Sequence, residues 1–140
     1  MPGGWGWSAA MSELAEAAEV VGDTDAAAHV LAECSAYTGG ISRAGTFCDR
    51  PFDQALAQAA LGVGDPDLAE QYATAAMSAS RRRGTPLYLA RELVFLAEAR
   101  RRRGALDPEL RSLVAEASAL ADRFRARVVT ADIERYGLPS

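Results

Sequence analysis

The chain reads as an all-α protein, a short right-handed α-solenoid of three helical hairpins with a closing helix at its C-terminus. Three observations lead there. Apolar residues recur at helical spacing along most of the 140 residues, and the strong helix formers Ala, Leu, Arg and Glu dominate while β-branched residues are sparse. Glycines cut this pattern at regular places. The cuts also repeat: Leu14-Ala15, Leu56-Ala57 and Leu96-Ala97 stand 42 and 40 residues apart, each followed after eight positions by a glycine (Gly22, Gly64, Gly104) and after eleven by an aspartate (Asp25, Asp67, Asp107). Glycine leaves one helix and aspartate caps the next, so the same hairpin is written three times. A single hairpin cannot bury its apolar stripe alone; stacked copies share a core and leave a concave face.

Each element follows from its own residues. Met11, Leu14, Ala15, Ala18 and Val21 form the stripe of a first helix that ends at Gly22-Asp23. A second begins near Asp25, carries Ala27, Val30, Leu31, Cys34 and Tyr37 on its apolar face, and stops before Gly39-Gly40. Residues 38–50 show no period and read as a long loop. Pro51 fits the first turn of a third helix that runs to about Val63. Gly64-Asp65-Pro66 precedes a fourth, to about Arg83, and Gly84-Thr85-Pro86 precedes a fifth, from Leu87 to Arg103. That fifth helix is apolar nearly all round (Leu89, Ala90, Leu93 to Ala97), as a central buried helix would be. Asp107 caps a sixth with Pro108 in its first position, and a last helix over 128–136 turns Val129, Ile133 and Tyr136 inward. The many alanines predict close helix contacts that larger side chains would disturb.

Composition narrows the function. Fifteen basic residues, all arginine, against 19 acidic give a net charge of −4, and 49% of the residues are hydrophobic. No apolar run nears the roughly 20 residues that span a bilayer, which argues against a membrane protein. The first ten residues lack the basic flank and apolar stretch of a secretory leader, and two cysteines are too few for a disulfide scaffold, so a cytoplasmic setting is expected. Charge is uneven: residues 1–70 hold eleven acids and two arginines, residues 71–140 eight acids and thirteen arginines. This polarity favours attraction between an acidic end and a basic end, between copies or toward a charged partner. Nucleic acid is disfavoured by the acidic total and the lack of aromatics among the arginines. Residues 1–10 read as a flexible Gly/Trp arm on a single domain of residues 11–140, with Trp5 and Trp7 free to cap a solenoid end or to join two copies in a homodimer.

Certain stretches resemble known families. The hairpin unit is similar to the tetratricopeptide repeat, although that repeat has a period of about 34 residues. The runs GDTDAAAHVLAECSAYTGG, LGVGDPDLAEQY and RRGTPLYLARELVFLAEARRRRG, with the loop ending CDRP, resemble the helical-repeat tails of large ATP-binding LuxR-type transcriptional regulators and nucleotide cyclases of high-GC bacteria. The resemblance implies a sensing or scaffolding part alone. A phosphate-binding Gly-rich run ending in Lys is absent, since the chain has no lysine, and no separate DNA-binding helix pair can be assigned.

No catalytic constellation, metal-ligand spacing or cofactor motif stands out. His29, the one histidine, lies between Asp25 and Glu33 as in a surface ion-pair cluster, and Cys34 reads as core packing. Cys48 sits in the long loop beside Asp49 and Arg50, without an assigned base. Loops of that length are often functional. Tyr37, Arg43, Phe47, Cys48, Arg50, Tyr88 and Arg91 are therefore the expected ligand or partner contacts around a concave groove. The expected function is a non-catalytic interaction or ligand-sensing module for a protein or small molecule. The alternatives are a small enzyme or accessory factor of specialised metabolism and a purely structural homodimer.

Overall fold

The fold is all-α, with one small β-hairpin inserted. The computed structural model describes residues 6–44 and 47–140, and the side chains of these except at 42–44 and 47–49. In chain order the elements are α1 (Trp7–Val21), α2 (Thr24–Cys34), a 3-10 turn (Ser35–Tyr37), β1 (Ile41–Ala44), β2 (Phe47–Pro51), α3 (Phe52–Val63), α4 (Pro66–Arg83), α5 (Pro86–Arg102), α6 (Asp107–Phe124) and α7 (Arg127–Tyr136). Among the described residues no helix is long and apolar enough to cross a membrane.

Helix breaks fall where the glycines stand. Gly22 and Gly64 end α1 and α3 in the left-handed region, at φ 76° and 79°, which glycine adopts without strain. The caps that follow are not the expected ones. Asp23 and Asp65, one residue past each glycine, accept hydrogen bonds from the N–H groups of Ala26 and Leu68 at 3.0 Å. Asp25 and Asp67 lie inside the first turns, where their charge complements the positive helix end. In the third copy Ala105 takes the capping place, so α6 starts after Leu106 with no side-chain cap and Asp107 is its first residue.

The expected loop over 38–50 is instead largely a two-stranded antiparallel hairpin, with Arg43 opposite Cys48 and Ala44 opposite Phe47. Pro51 ends β2 and is the N-cap of α3, outside the first turn where the sequence places it. At the other end of the chain's first hairpin, α1 takes in residues 7–10, which were expected in the arm. Trp7 packs edge-on against Tyr37 at 5.7 Å and beside Phe52 at 6.2 Å, and burying those rings in its own chain is what orders the helix start. Trp5 lies outside the described residues.

Each helix packs on its predecessor, and α1, α3, α5 and α7 lie next to one another in that order. Bonds between them advance together along the chain, Arg50 reaching Glu13 and Glu16 while Gln58 reaches Glu19, so α1 and α3 run parallel. Gln54 bonds the Tyr88 carbonyl at the start of α3 and α5, and Arg102 bonds the Leu61 carbonyl at their ends, which sets α5 parallel to both. The core is carried by two helices. Residues Ala90–Ala99 of α5 are all buried, as expected, and so are Phe52–Leu61 of α3, which is equally central.

Small residues make this possible. Gly62 interrupts α3, yet a Cβ there would stand 2.9 Å from the Ala27 Cβ of α2 and 3.5 Å from the Glu19 backbone of α1. Alanine is the better helix former by about 1 kcal/mol. The substitution Gly62→Ala is nonetheless expected to destabilise the protein by about 1–3 kcal/mol, because Ala27 and with it α2 must be pushed off α3. Urea denaturation checks this, and a gain in stability would contradict the close three-helix contact.

Candidate functional site

The inner face of the helix row is occupied along its middle by the chain's own charges. Arg91, only 7% exposed, donates from Nη1 and Nη2 to Glu16 of α1 and from Nε to Asp132 of α7, all at 2.9–3.0 Å. Arg50 also binds Glu16, at 3.0 Å, and reaches Glu13 at 2.9 Å. Arg135 joins Glu19 at 2.8 Å and Asp132 at 3.1 Å. The hydrogen bond from Arg91 holds the Glu16 carboxyl down to about 2 against the opposing effect of burial, with the positive charges of Arg91 and Arg50 adding. The expected groove is therefore bridged from α1 to α7.

What stays open is a cleft of about 350 Å³ at one end of the row. Arg50 and Gln54, Leu87, Tyr88 and Arg91, Phe124, and the α6–α7 junction with Val128 line it. Gln54, Leu87 and Tyr88, and Val128 belong to the first turns of α3, α5 and α7. None of these three helices has a side-chain N-cap, and the first turns of α5 and α7 carry no acidic residue. Leu87, Phe124 and Val128 give it apolar walls and are 40–47% exposed. Arg125, on the lip, adopts φ 54° and has no ion-pair partner among the described residues.

Three of the seven expected contacts, Arg50, Tyr88 and Arg91, are brought together here. Tyr37 is elsewhere, in the aromatic cluster with Trp7 and Phe52. The side chains of Arg43, Phe47 and Cys48 lie outside the described residues, and their backbone forms the hairpin. His29 is exposed on α2 and Cys34 is a buried free thiol in the core. The arginine run 100–103 is absorbed structurally: Arg100 and Arg103 pair with Glu70, Arg101 and Arg102 with buried Glu98, and Arg102 also donates to the Leu61 carbonyl at 2.7 Å.

Sequence reasoning missed a buried acid cluster between α3, α4 and α5. Glu92 is fully buried; its Oε1 accepts from the Ser80 hydroxyl at 2.9 Å and from Gln54 at 3.5 Å, while Oε2 has no hydrogen-bond partner. Burial pushes its carboxyl up to about 7, opposed by the Ser80 hydrogen bond and helped by the negative charge of Asp53. Asp53 accepts the Gly39 N–H at 2.9 Å, and burial raises its pKa as well. It borders a second, larger cleft of about 540 Å³ with Thr38, Tyr72, Arg82 and Arg83. The signal was present in the sequence, since Glu92 and Glu98, with Arg91, interrupt the apolar run of the helix. Among the described residues no group of three His, Cys, Asp or Glu is arranged to hold a metal ion.

No protein-family model, curated protein or solved structure matches the chain.

Two of the shifted carboxyls, Glu16 and Glu92, act on stability in opposite pH windows. Glu16 contributes stability above its unfolded value of 4.5 that is lost as pH falls toward 2. Glu92 keeps its proton in the native state up to about 7 while the unfolded chain releases it at 4.5, so stability declines as pH rises between these values. The protein should be more stable at pH 5.5 than at pH 8. Glu92→Gln should flatten that decline and add about 1–3 kcal/mol at pH 8. Chemical denaturation at both pH values decides; an unchanged slope in the variant would remove Glu92 as the cause.

Proposed function

We propose that the chain is a non-catalytic helical-repeat binding module of the ligand-sensing kind, cytoplasmic and associated with regulation, whose ligand occupies the cleft at the N-terminal ends of α3, α5 and α7. The observation that carries this reading is the convergence of Arg50, Tyr88 and Arg91 with three exposed apolar side chains around one concavity. Its volume lies at the low end of the range for small-molecule sites, roughly 300–1,000 Å³, which favours a small ligand over a protein partner. Repeated hairpins stacked with a right-handed superhelical sense, as in the regulator tails that the sequence resembles, are part of the same reading. The free buried thiol of Cys34 fits a reducing compartment.

The enzyme alternative has one observation in its favour, the buried Asp53 carboxyl beside the larger cleft. A general acid or base must reach its substrate, and the Asp53 Oδ1 that lacks a partner is itself buried. Binding without chemistry is the better reading.

Ligand-observed NMR with a fragment library tests it. Val128 is 45% exposed at the start of α7, so Val128→Trp should fill the cleft without unfolding the chain. The expected result is that fragments bind the parent protein and are lost with Val128→Trp. Fragments that bind the variant equally well, or none that bind the parent, would overturn the proposal.

A further inference from the structure

We infer that the cleft takes a small amphipathic organic acid, its carboxylate held between Arg50 and Arg125 and its apolar body lying on Leu87, Phe124 and Val128. This rests on the cleft being the binding site and adds the chemical class of the ligand.

The charge of the lining selects the head group. Three arginines and no carboxylate line the cleft. Their roles differ. Arg91 is buried and its charge is met by Glu16 and Asp132, so it fixes the wall and offers no free donor. Arg50 is 15% exposed and half committed to Glu13, whose side chain is 71% exposed. Such a partner is held weakly, and an incoming carboxylate can replace it on the same guanidinium nitrogen with little loss of pairing. Arg125 is exposed and unpaired among the described residues. The first turns of α5 and α7, which carry no acidic residue, lie at the same end.

Arg125 also stands where glycine is expected. It closes α6 in the left-handed region, and every other described residue with positive φ is a glycine. A side chain there is strained. A strained, solvent-facing guanidinium on the lip of a cleft contributes nothing to the packing of the fold, and an anionic ligand is the group that would use it.

Apolar exposure selects the body. Six large hydrophobic side chains are exposed among the described residues, and three of them wall this one cleft. Single exposed apolar residues need no explanation; a cluster around a concavity does.

The probes are 2-naphthoate, its neutral analogue 2-naphthamide and the cation 2-naphthylmethylamine, with affinities measured by calorimetry and protein-detected NMR on the full chain. Naphthoate should bind at least tenfold tighter than the amide, and the amine weakest of the three. Arg125→Gly should weaken naphthoate at least fivefold, leave the amide unchanged and raise the thermal midpoint of the unliganded protein. Arg111→Ala, which removes an exposed cation from α6 outside the cleft, controls for net charge and should change none of these affinities. Acid and amide binding equally, with Val128→Trp abolishing both, would overturn the ligand class while sparing the site. Naphthoate binding that survives Val128→Trp would overturn both readings. An Arg125→Gly variant with parental naphthoate affinity, or no binding by any probe, would overturn the present inference.

Discussion

Arg91 lies inside the helix row with its guanidinium committed on two sides, to Glu16 from the first helix and to Asp132 from the last. The three helices concerned, α1, α5 and α7, are far apart in sequence, and a planar fork with fixed donor directions sets how they approach one another. A lysine could carry the charge but not the two-sided geometry. Buried ion pairs seldom add net stability over well-packed apolar replacements, whereas removing one partner strands a charge and is costly. The network therefore acts chiefly on shape: it draws α1 and α7 together across α5, and the cleft lined by Arg50 and Arg91 opens where α3, α5 and α7 begin.

That closure requires helices to sit near one another, and α3 shows how it is reached. It is buried from Phe52 to Leu61 with alanine at four of those ten positions and Gly62 just beyond. Short side chains bring α1, α2, α4 and α5 onto one axis. They also leave too little apolar volume to fill every gap, and long polar side chains thread the spaces that remain. Gln54, Gln58 and Glu92 are the result, each buried, with Gln58 and Glu92 each keeping one oxygen unpaired. Tight backbone spacing and an imperfectly satisfied polar layer are two consequences of the same alanine-rich composition.

Helices and their ends were legible because periodicity and left-handed glycines are local signals. The capping residue was misplaced for a definite reason: aspartate recurs both one and three positions after Gly22 and Gly64, only the later one survives in the third copy, and the complete repeat was the wrong one to follow. The hairpin escaped because its strands are four and five residues long and carry no clean alternation. At the site, Arg50, Tyr88 and Arg91 were legible as residue types, and the fold brings them together. Tyr37 reads from sequence as a groove contact on the apolar face of the second helix, but the rings it meets belong to α1 and α3 and lie away from the cleft. Glu16 and Asp132 could not be matched to Arg91 from sequence, being 75 and 41 residues away. Arg125 left no local signal either, since only the backbone angle distinguishes it from the other arginines.

The uneven division of charge acquires a physical meaning once the helices are oriented. α2, α4 and α6 begin at the end of the row where α5 finishes, and their first turns carry Asp25, Asp67, Asp107 and Glu109. The arginine run of α5 meets acids of that end directly, through Asp67, Glu70 and Glu109, so it neutralises itself. At the opposite end α3, α5 and α7 begin, with no acid in the first turns of α5 or α7, and α4 finishes on Arg81-Arg82-Arg83. Arg50 and Arg125 lie there as well. Antiparallel pairing thus sorts an overall acidic chain into one compensated end and one cationic end, and the cleft opens at the cationic one.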